Sequence, residues 1–320
     1  MYNKPTIIVA GEPNSVFLEI FFKSIKIFYK RPLILIASKK LLLSQMKKLK
    51  FNYKIELINR NKIEFKKLSL KKINLIDVDY KFKKPFEVIS DKSNDYISKC
   101  FLVALKILKD NQCSGLINGP ISKKDFLKTK FLGITEYLSY KSLTKKDVVM
   151  LIYNKQLSVS PLTTHLPIKD VNKKISIKKI LNHVDLINKF YKKKFNIKPK
   201  IAITGLNPHC ESNYKDSEES KIIKPSVKYL INKGYKIKGP YPADTIFMKE
   251  QSKKYNVIIG MYHDQVLTPM KTLFGFNAIN ITLGLPFIRV SPDHGPNELM
   301  MGKNLSNPKS LIMALNFLDN

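Results

Sequence analysis

Tryptophan is absent from this chain of 320 residues, and glycine occurs only 12 times. No two glycines lie two positions apart, and no pair five apart is followed by Lys and then Ser or Thr. A Rossmann GxGxxG fingerprint and a P-loop are therefore both excluded. A nucleotide that binds this chain has to use another architecture.

Arginine and acidic residues are also scarce. Lys and Arg total 57 against 25 Asp and Glu, a formal net charge of +32 at pH 7, yet only Arg31, Arg60 and Arg289 are arginines. A nucleic-acid-binding protein normally clusters its charge and uses arginine for bidentate contacts, whereas lysine is spread here along the whole chain. We interpret the excess as solvated lysine faces, with no specific nucleic-acid partner. RNA or polyanion binding is the alternative, and it predicts steeply salt-dependent affinity.

Three cysteines form no CxxC pair, so we expect reduced thiols and a cytoplasmic protein. The first 15 residues lack the pattern of a targeting segment. The longest uncharged stretch, residues 272–288, contains asparagine, glycine and proline and does not suit a bilayer. These patterns predict no membrane partner.

Short β-branched runs alternate with longer amphipathic stretches. The predicted strands are residues 6–10, 33–38, 55–59, 115–118, 148–153, 157–163, 200–204, 257–261 and 278–282. The predicted helices are residues 93–110, 175–195, 218–232 and 306–319. This alternation indicates an α/β protein with largely parallel sheets, and a domain boundary is expected near residues 135–147.

Three of the five histidines lie in dense polar motifs that follow predicted strands: TTHLP with His165, GLNPH with His209 and MYHDQ with His263. Ligands bind at the carboxyl ends of strands in open α/β sheets, and the neutral imidazole is a common ligand of divalent metals. The alternative for each histidine is a local hydrogen bond within its own loop. Their shared setting favours one cleft with three imidazoles around a metal.

Residues 261–303 hold the densest group of polar side chains. Asp264 offers a carboxylate beside His263, and Lys271, Asn280 and Arg289 offer two cations and an amide for a small anion. Arg289 stands where the chain otherwise uses lysine, which a bidentate phosphate or carboxylate contact explains. A structural salt bridge is the other explanation.

GLNPH, MYHDQ, LGLPFIR and SPDHG, in this order and with TTHLP upstream, resemble the 4-hydroxythreonine-4-phosphate dehydrogenase family of vitamin B6 biosynthesis. The resemblance starts at Gly11-Glu12-Pro13 and continues through residues 118–123 and 133–136. It implies two α/β/α domains around a central cleft, like isocitrate and isopropylmalate dehydrogenases. We expect the first domain at residues 1–140 plus 295–320 and the second, with the histidines and much of the dimer interface, at 141–294.

The resemblance also implies the components of the site. The metal ligands are then His165, His209 and His263, one of them supplied across a homodimer interface, and the metal is Zn, Mg or Co. Thr135, Lys271, Asn280 and Arg289 match the positions that hold the phosphorylated substrate. Asn207, Asp293 and Gly295 are expected to bind NAD, with NADP as the alternative.

The implied reaction is a metal-assisted oxidation of a hydroxyl group followed by loss of carbon dioxide. Either Lys271 or Asp264 shuttles the proton, and the sequence does not choose between them. The chain departs from the family at Ser15 and Phe17, where glycines are expected, and at Ile134, where the family has histidine. Two explanations stay open: a drifted enzyme with the family activity, or a relative that acts on another hydroxy acid.

Overall fold

The computed structural model describes residues 3–127, 131, 133–144, 147–210, 216–275, 277–292 and 295–320. The chain forms two compact units, of which the first comprises Met1–Leu143 and Leu285–Asn320 and the second Thr144–Gly284. The predicted division placed residues 141–294 in the second domain. The partition of the structure differs in that it assigns the strand Arg289–Pro292 to the first unit. Helices and strands alternate in both units, which confirms the α/β class.

The strands are short and mostly buried. They are β1 (Thr6–Val9), β2 (Leu33–Ala37), β3 (Ile55–Leu57), β4 (Ile73–Asp77), β5 (Gly115–Asn118), β6 (Val149–Tyr153), β7 (Ser158–Pro161), β8 (Ile201–Thr204), β9 (Ile237–Tyr241), β10 (Val257–Gly260), β11 (Ile279–Leu283) and β12 (Arg289–Pro292). Strands such as β1 and β2 are buried on both faces and read as continuous apolar runs.

Most helices connect successive strands, and the last one follows β12. They are α1 (Phe17–Ser24), α2 (Lys39–Lys48), α3 (Asn94–Leu108), α4 (Ile134–Lys141), α5 (Ile177–Phe195), α6 (Lys224–Asn232), α7 (Lys249–Ser252), α8 (His263–Phe274) and α9 (Lys309–Asp319). Within the described part of the chain, no helix combines the length and apolar character needed to span a bilayer.

The sheet of the first unit is parallel throughout. Its strands lie in the order β3-β4-β2-β1-β5-β12. One face is covered by α3, whose Ile97, Phe101 and Ala104 join a core with Ile7, Ile34 and other strand residues. The strands and α3 therefore share one apolar core.

The sheet of the second unit is mixed. Its strands lie in the order β11-β6-β7-β10-β8-β9, where β6 runs antiparallel to both neighbours and β7, β10, β8 and β9 run parallel. The prediction of largely parallel sheets is confirmed, and β6 is the exception because the short connection between β6 and β7 can only form a hairpin.

Several elements were not predicted. β4, β9 and β12 contain polar residues, glycine or proline, which break the apolar pattern by which strands were assigned. Helices α1, α2, α4, α7 and α8 were also missed, and α8 carries Pro269 in its interior. The predicted helix at 218–232 starts as a π-helical turn, Glu219–Ile223, before α6.

Candidate active site

The three predicted metal-binding histidines follow three neighbouring parallel strands. β10 lies between β7 and β8 and pairs with both. His165 follows β7, His263 is the first residue of α8 directly beyond β10, and His209 lies in a short turn, Pro208–Cys210, beyond β8. The prediction that the three histidine motifs follow strand ends is confirmed, and all three strand ends lie at the same edge of one sheet.

His165 and His263 lie side by side. Their ring centroids are 5.9 Å apart and the ring planes are inclined by 36°. With metal–nitrogen bonds of about 2 Å, two imidazoles on one cation have ring centres roughly 5–6 Å apart. The pair therefore fits two ligands of a shared divalent metal.

Asp264 fixes the orientation of the His263 ring. Its Oδ1 lies 2.6 Å from Nδ1 of His263. Because an ionised carboxylate can only accept, Nδ1 carries the proton and Nε2 keeps the lone pair that a metal needs. Carboxylates in this relation to a ligating histidine set both its tautomer and its orientation.

His209 is exposed and does not complete a three-ligand group within one chain. Among the described residues, no group of three or more His, Cys, Asp and Glu side chains is arranged to hold a metal ion. Both His209 and Cys210 adopt left-handed backbone angles, with φ of 56° and 57°. This conformation is unfavourable by on the order of 1 kcal/mol for each non-glycine residue, so surrounding contacts have to maintain it.

The loops beyond β7 and β10 are joined through Met261. Its carbonyl accepts from the backbone nitrogen of Thr163 at 3.2 Å and from the Thr163 hydroxyl at 2.7 Å. Two polar residues with no predicted role, Gln265 and Glu219, form hydrogen bonds to the backbone of the loop beyond β8, and Gln265 also bonds to Met261 beyond β10. Gln265 lies within the MYHDQ motif, whereas Glu219 gave no signal in the sequence.

Lys271 and Asn280 belong to the same unit as the histidines. Lys271 lies in the last turn of α8, and desolvation lowers the pKa of its ammonium group. Asn280 lies on β11 opposite Ile152 of β6. Its Oδ1 is buried and has no hydrogen-bond partner among the described residues. The Oδ1 of Asn280 can therefore accept a hydrogen bond from a ligand.

Arg289 is fully buried in the first unit, with 1% of its surface exposed. Its Nε donates to Oδ1 of Asn118 at 2.7 Å, across the pairing of β12 with β5. Burial lowers the pKa of the guanidinium to about 10, and the charge of Glu136 opposes this shift. Arg289 therefore stays protonated at neutral pH, and a neutral amide supplies its described hydrogen bond.

Thr135 is buried in the first turn of α4, after Gly133 at the N-cap. The first turn of a helix presents backbone N–H groups that favour an anion. Ile134, which precedes it, packs against the apolar core around α3. An apolar side chain of this core therefore stands where the family has a histidine.

Comparison with known proteins decides the family. The family model described as "Pyridoxal phosphate biosynthetic protein PdxA" matches residues 29–318. The chain belongs to the PdxA family. It is 39% identical over 318 residues to a 4-hydroxythreonine-4-phosphate dehydrogenase of Sulfurihydrogenibium sp. (strain YO3AOP1), covering 96% of this chain and 95% of the relative. The resemblance inferred from the motifs is confirmed.

Solved structures agree with the PdxA assignment. The 4-hydroxythreonine-4-phosphate dehydrogenase from Klebsiella pneumoniae superposes with a TM-score of 0.85 at 25% identity, covering 99% of this chain and 97% of that chain. An isocitrate dehydrogenase from Methylococcus capsulatus superposes with a TM-score of 0.50 at 8% identity, covering 98% and 83%. The latter likeness concerns the fold alone and confirms the predicted architecture.

The departures from the PdxA pattern near the N-terminus are accommodated by packing. Phe17 is buried at the start of α1, and a Cβ on Gly119 would lie 2.7 Å from its ring and 2.1 Å from the carbonyl oxygen of Ala10. The Ser15 hydroxyl donates to the carbonyl of Glu12 and accepts from the backbone nitrogen of Phe17. The close backbone approach thus occurs at Gly119, and Phe17 fills the space beside it.

Two of the three residues predicted to bind NAD, Asn207 and Gly295, lie in the described part of this PdxA-family chain. The Nδ2 of Asn207 donates to Glu218 and Glu219 at 3.0 and 2.9 Å. A Cβ on Gly295 would meet nothing within 4 Å, so no close backbone approach requires glycine there. Asp293 lies outside the described residues.

Proposed function

We propose that this chain is a divalent-metal-dependent dehydrogenase that oxidises 4-phosphohydroxy-L-threonine, with decarboxylation, to 3-amino-2-oxopropyl phosphate in vitamin B6 biosynthesis. Membership of the PdxA family supports the reaction. The observation that carries the proposal is the pairing of His165 with His263 at a spacing that suits a shared cation. We also propose NAD as the hydride acceptor and the cytoplasm as the location.

His165, His209 and His263 are the proposed ligands of Zn, Mg or Co. One of the three comes from the second subunit of a homodimer, which accords with the two-histidine pair and the exposed His209 of a single chain. When bound, the cation supplies Lewis acidity towards the substrate hydroxyl. Asp264 holds the His263 ring in the tautomer that leaves Nε2 free to bind it.

Lys271 is the proposed acid–base residue. A lowered pKa increases the fraction of neutral amine that can take the proton from the substrate hydroxyl. Asp264 is already committed to Nδ1 of His263, so we assign it the orienting role. On these grounds we propose Lys271, and not Asp264, for the proton transfer that the sequence left open.

Thr135 and Arg289 are the proposed contacts of the phosphate and carboxylate groups of the substrate, and Asn280 is the proposed contact of its amino group. Arg289 is a buried cation, and Thr135 lies at a helix N-terminus that favours anions. The buried Oδ1 of Asn280 has no described partner and can accept a hydrogen bond from the substrate amine.

The direct test is NADH formation by the purified full chain with the phosphorylated substrate, NAD and Zn²⁺ or Mg²⁺. Lys271→Ala should lower kcat about 100-fold or more, whereas Lys249→Ala, an exposed lysine on α7, should leave it unchanged. His263→Ala should abolish the metal-dependent rate. Turnover of non-phosphorylated hydroxy acids in preference to the phosphorylated one would instead support the alternative substrate class.

A further inference from the structure

Gln265 links the ends of two histidine-bearing strands through one carboxamide. Its Oε1 accepts from the backbone nitrogen of Met261 at 2.6 Å, beyond β10. Its Nε2 donates to the carbonyl of Gly205 at 2.8 Å, beyond β8. The Thr204 hydroxyl also donates to Oε1 at 2.8 Å. Since a backbone N–H only donates and a carbonyl only accepts, these partners define the orientation of the amide.

Glu219 holds the same loop from its other side. Its Oε1 accepts from the backbone nitrogens of Leu206 and Asn207 at 2.7 and 2.9 Å. Its Oε2 accepts from Nδ2 of Asn207 at 2.9 Å. Burial alone would raise the pKa of Glu219, but hydrogen bonds from Asn207 and Leu206 lower it. The 1%-exposed carboxylate is thus satisfied by the GLNPH loop itself.

Two glycines leave the space that these side chains occupy. A Cβ on Gly205 would lie 2.9 Å from Oε1 of Glu219 and 2.7 Å from Sγ of Cys210. A Cβ on Gly260 would lie 3.0 Å from Oε1 of Gln265 and 2.4 Å from Cγ1 of Val266. Larger residues at either position would displace these hydrogen-bonding groups.

We infer that Gln265 and Glu219 are positioning residues that hold the His209 loop in a fixed relation to the His263 loop. Gln265 joins the two loops, and Glu219 pins the backbone that leads into the left-handed turn at His209. Neither residue is a predicted ligand. This role rests on the proposed metal centre. It means that the protein fixes the positions of the ligands before the metal binds.

The test is zinc titration of the metal-free full chain by calorimetry. Glu219→Ala and Gln265→Ala should each weaken zinc binding about 10- to 100-fold, and Glu219→Gln should fall in between because Oε1 remains. The controls Glu250→Ala and Gln251→Ala alter exposed residues of α7 in the same unit and should leave the affinity unchanged. If Glu219→Ala does not fold, Glu219→Gln and Gln265→Ala still decide the matter.

A double-mutant cycle separates positioning from general destabilisation. In the background of His209→Ala the loop supplies no ligand, so Glu219→Ala should weaken zinc binding no further. An equal loss in both backgrounds would overturn the inference, as would unchanged affinity with a lowered melting temperature. A Co²⁺-loaded wild type should also show a ligand-field spectrum that Glu219→Ala alters.

The two proposals fail in different ways. A wild-type chain that binds neither Zn²⁺ nor Co²⁺ removes the metal centre, and the positioning role falls with it. Zinc binding by the wild type with unaltered variants removes the positioning role alone. Amide hydrogen exchange at Leu206 and Asn207 should accelerate in Glu219→Ala, and unchanged exchange there would contradict the loop contact itself.

Discussion

The Nε of Arg289 donates to Oδ1 of Asn118 at 2.7 Å, and both residues end or begin paired strands of one parallel sheet. This hydrogen bond occupies only one of the three guanidinium nitrogens, whereas lysine has a single nitrogen. The two terminal nitrogens of Arg289 are left to other partners, and the negative charge of Glu136 acts on the guanidinium. An arginine can thus hold Asn118 through Nε and bind a second group through its terminal nitrogens, which a lysine cannot do.

Arg289→Lys should therefore raise KM for the phosphorylated substrate about 10- to 100-fold while changing kcat less, because a charge-assisted bidentate contact is lost. Steady-state kinetics measure this. Arg60→Lys, at an exposed position of the same unit, is the matched control. Wild-type KM in Arg289→Lys would indicate that Arg289 has a structural role only.

The contact between Asp264 and His263 predicts a graded loss of metal affinity. Asp264→Ala should weaken zinc binding about 10- to 100-fold, and Asp264→Asn less, since its amide oxygen still accepts from Nδ1. Asp95→Ala is a suitable control because Asp95 is 76% exposed against 77% for Asp264. If Asp264→Ala and Asp264→Asn bind zinc as tightly as Asp95→Ala, Asp264 has no orienting role.

The raised pKa of the buried Glu12 carboxyl predicts a loss of stability as pH rises. Its carboxyl is 2% exposed, and burial raises its pKa to about 7 from 4.5, against the hydrogen bonds from Asn14 and Ser93 that lower it. The folded state then binds more protons than the unfolded state between pH 4.5 and pH 7. The free energy of unfolding should therefore fall across this window, by on the order of 2–3 kcal/mol.

Glu12→Gln tests this because a carboxamide keeps the hydrogen bond from Asn14 and can donate to the Ser93 hydroxyl. We expect the variant to exceed the wild type in stability at pH 8 and to match it near pH 4.5, measured by urea unfolding. The control is Glu64→Gln, an exposed carboxylate. A variant that tracks the wild type at every pH would show that Glu12 is ionised without penalty.

His183 predicts the opposite dependence at lower pH. Its Nε2 lies 2.7 Å from the Ser160 hydroxyl in the second unit, and burial, with the Lys179 charge, lowers its pKa to about 3 from 6.5. The unfolded state binds the proton first, so stability should fall as pH drops below 6.5 towards 3. Between pH 7 and pH 5 the loss is about 2 kcal/mol.

His183→Gln should be less stable than the wild type at pH 7, since the fit to Ser160 changes, but should lose less on going to pH 5. Unfolding at both pH values gives the difference, and the Glu12 contribution cancels because both proteins retain it. An identical loss in wild type and variant would show that His183 does not titrate on unfolding.

The sequence predicted the strands that bear the histidines because β-branched apolar runs end abruptly at polar motifs. It also predicted α3 and α5 from their helical spacing, and their observed bounds differ from the predicted ones by at most two residues. β12 was not predicted, because RVSP places an arginine and a proline in a strand of four residues. Only pairing with β5 makes that segment a strand.

The sequence by itself determined the family, the α/β class and the identity of the groups that can bind a metal, because these depend on side-chain chemistry in local motifs. Only the tertiary structure decided that β10 lies between β7 and β8, that His165 neighbours His263, and that Gln265 and Glu219 hold the loop before His209. Strand order and hydrogen bonds between distant segments depend on how the whole chain packs.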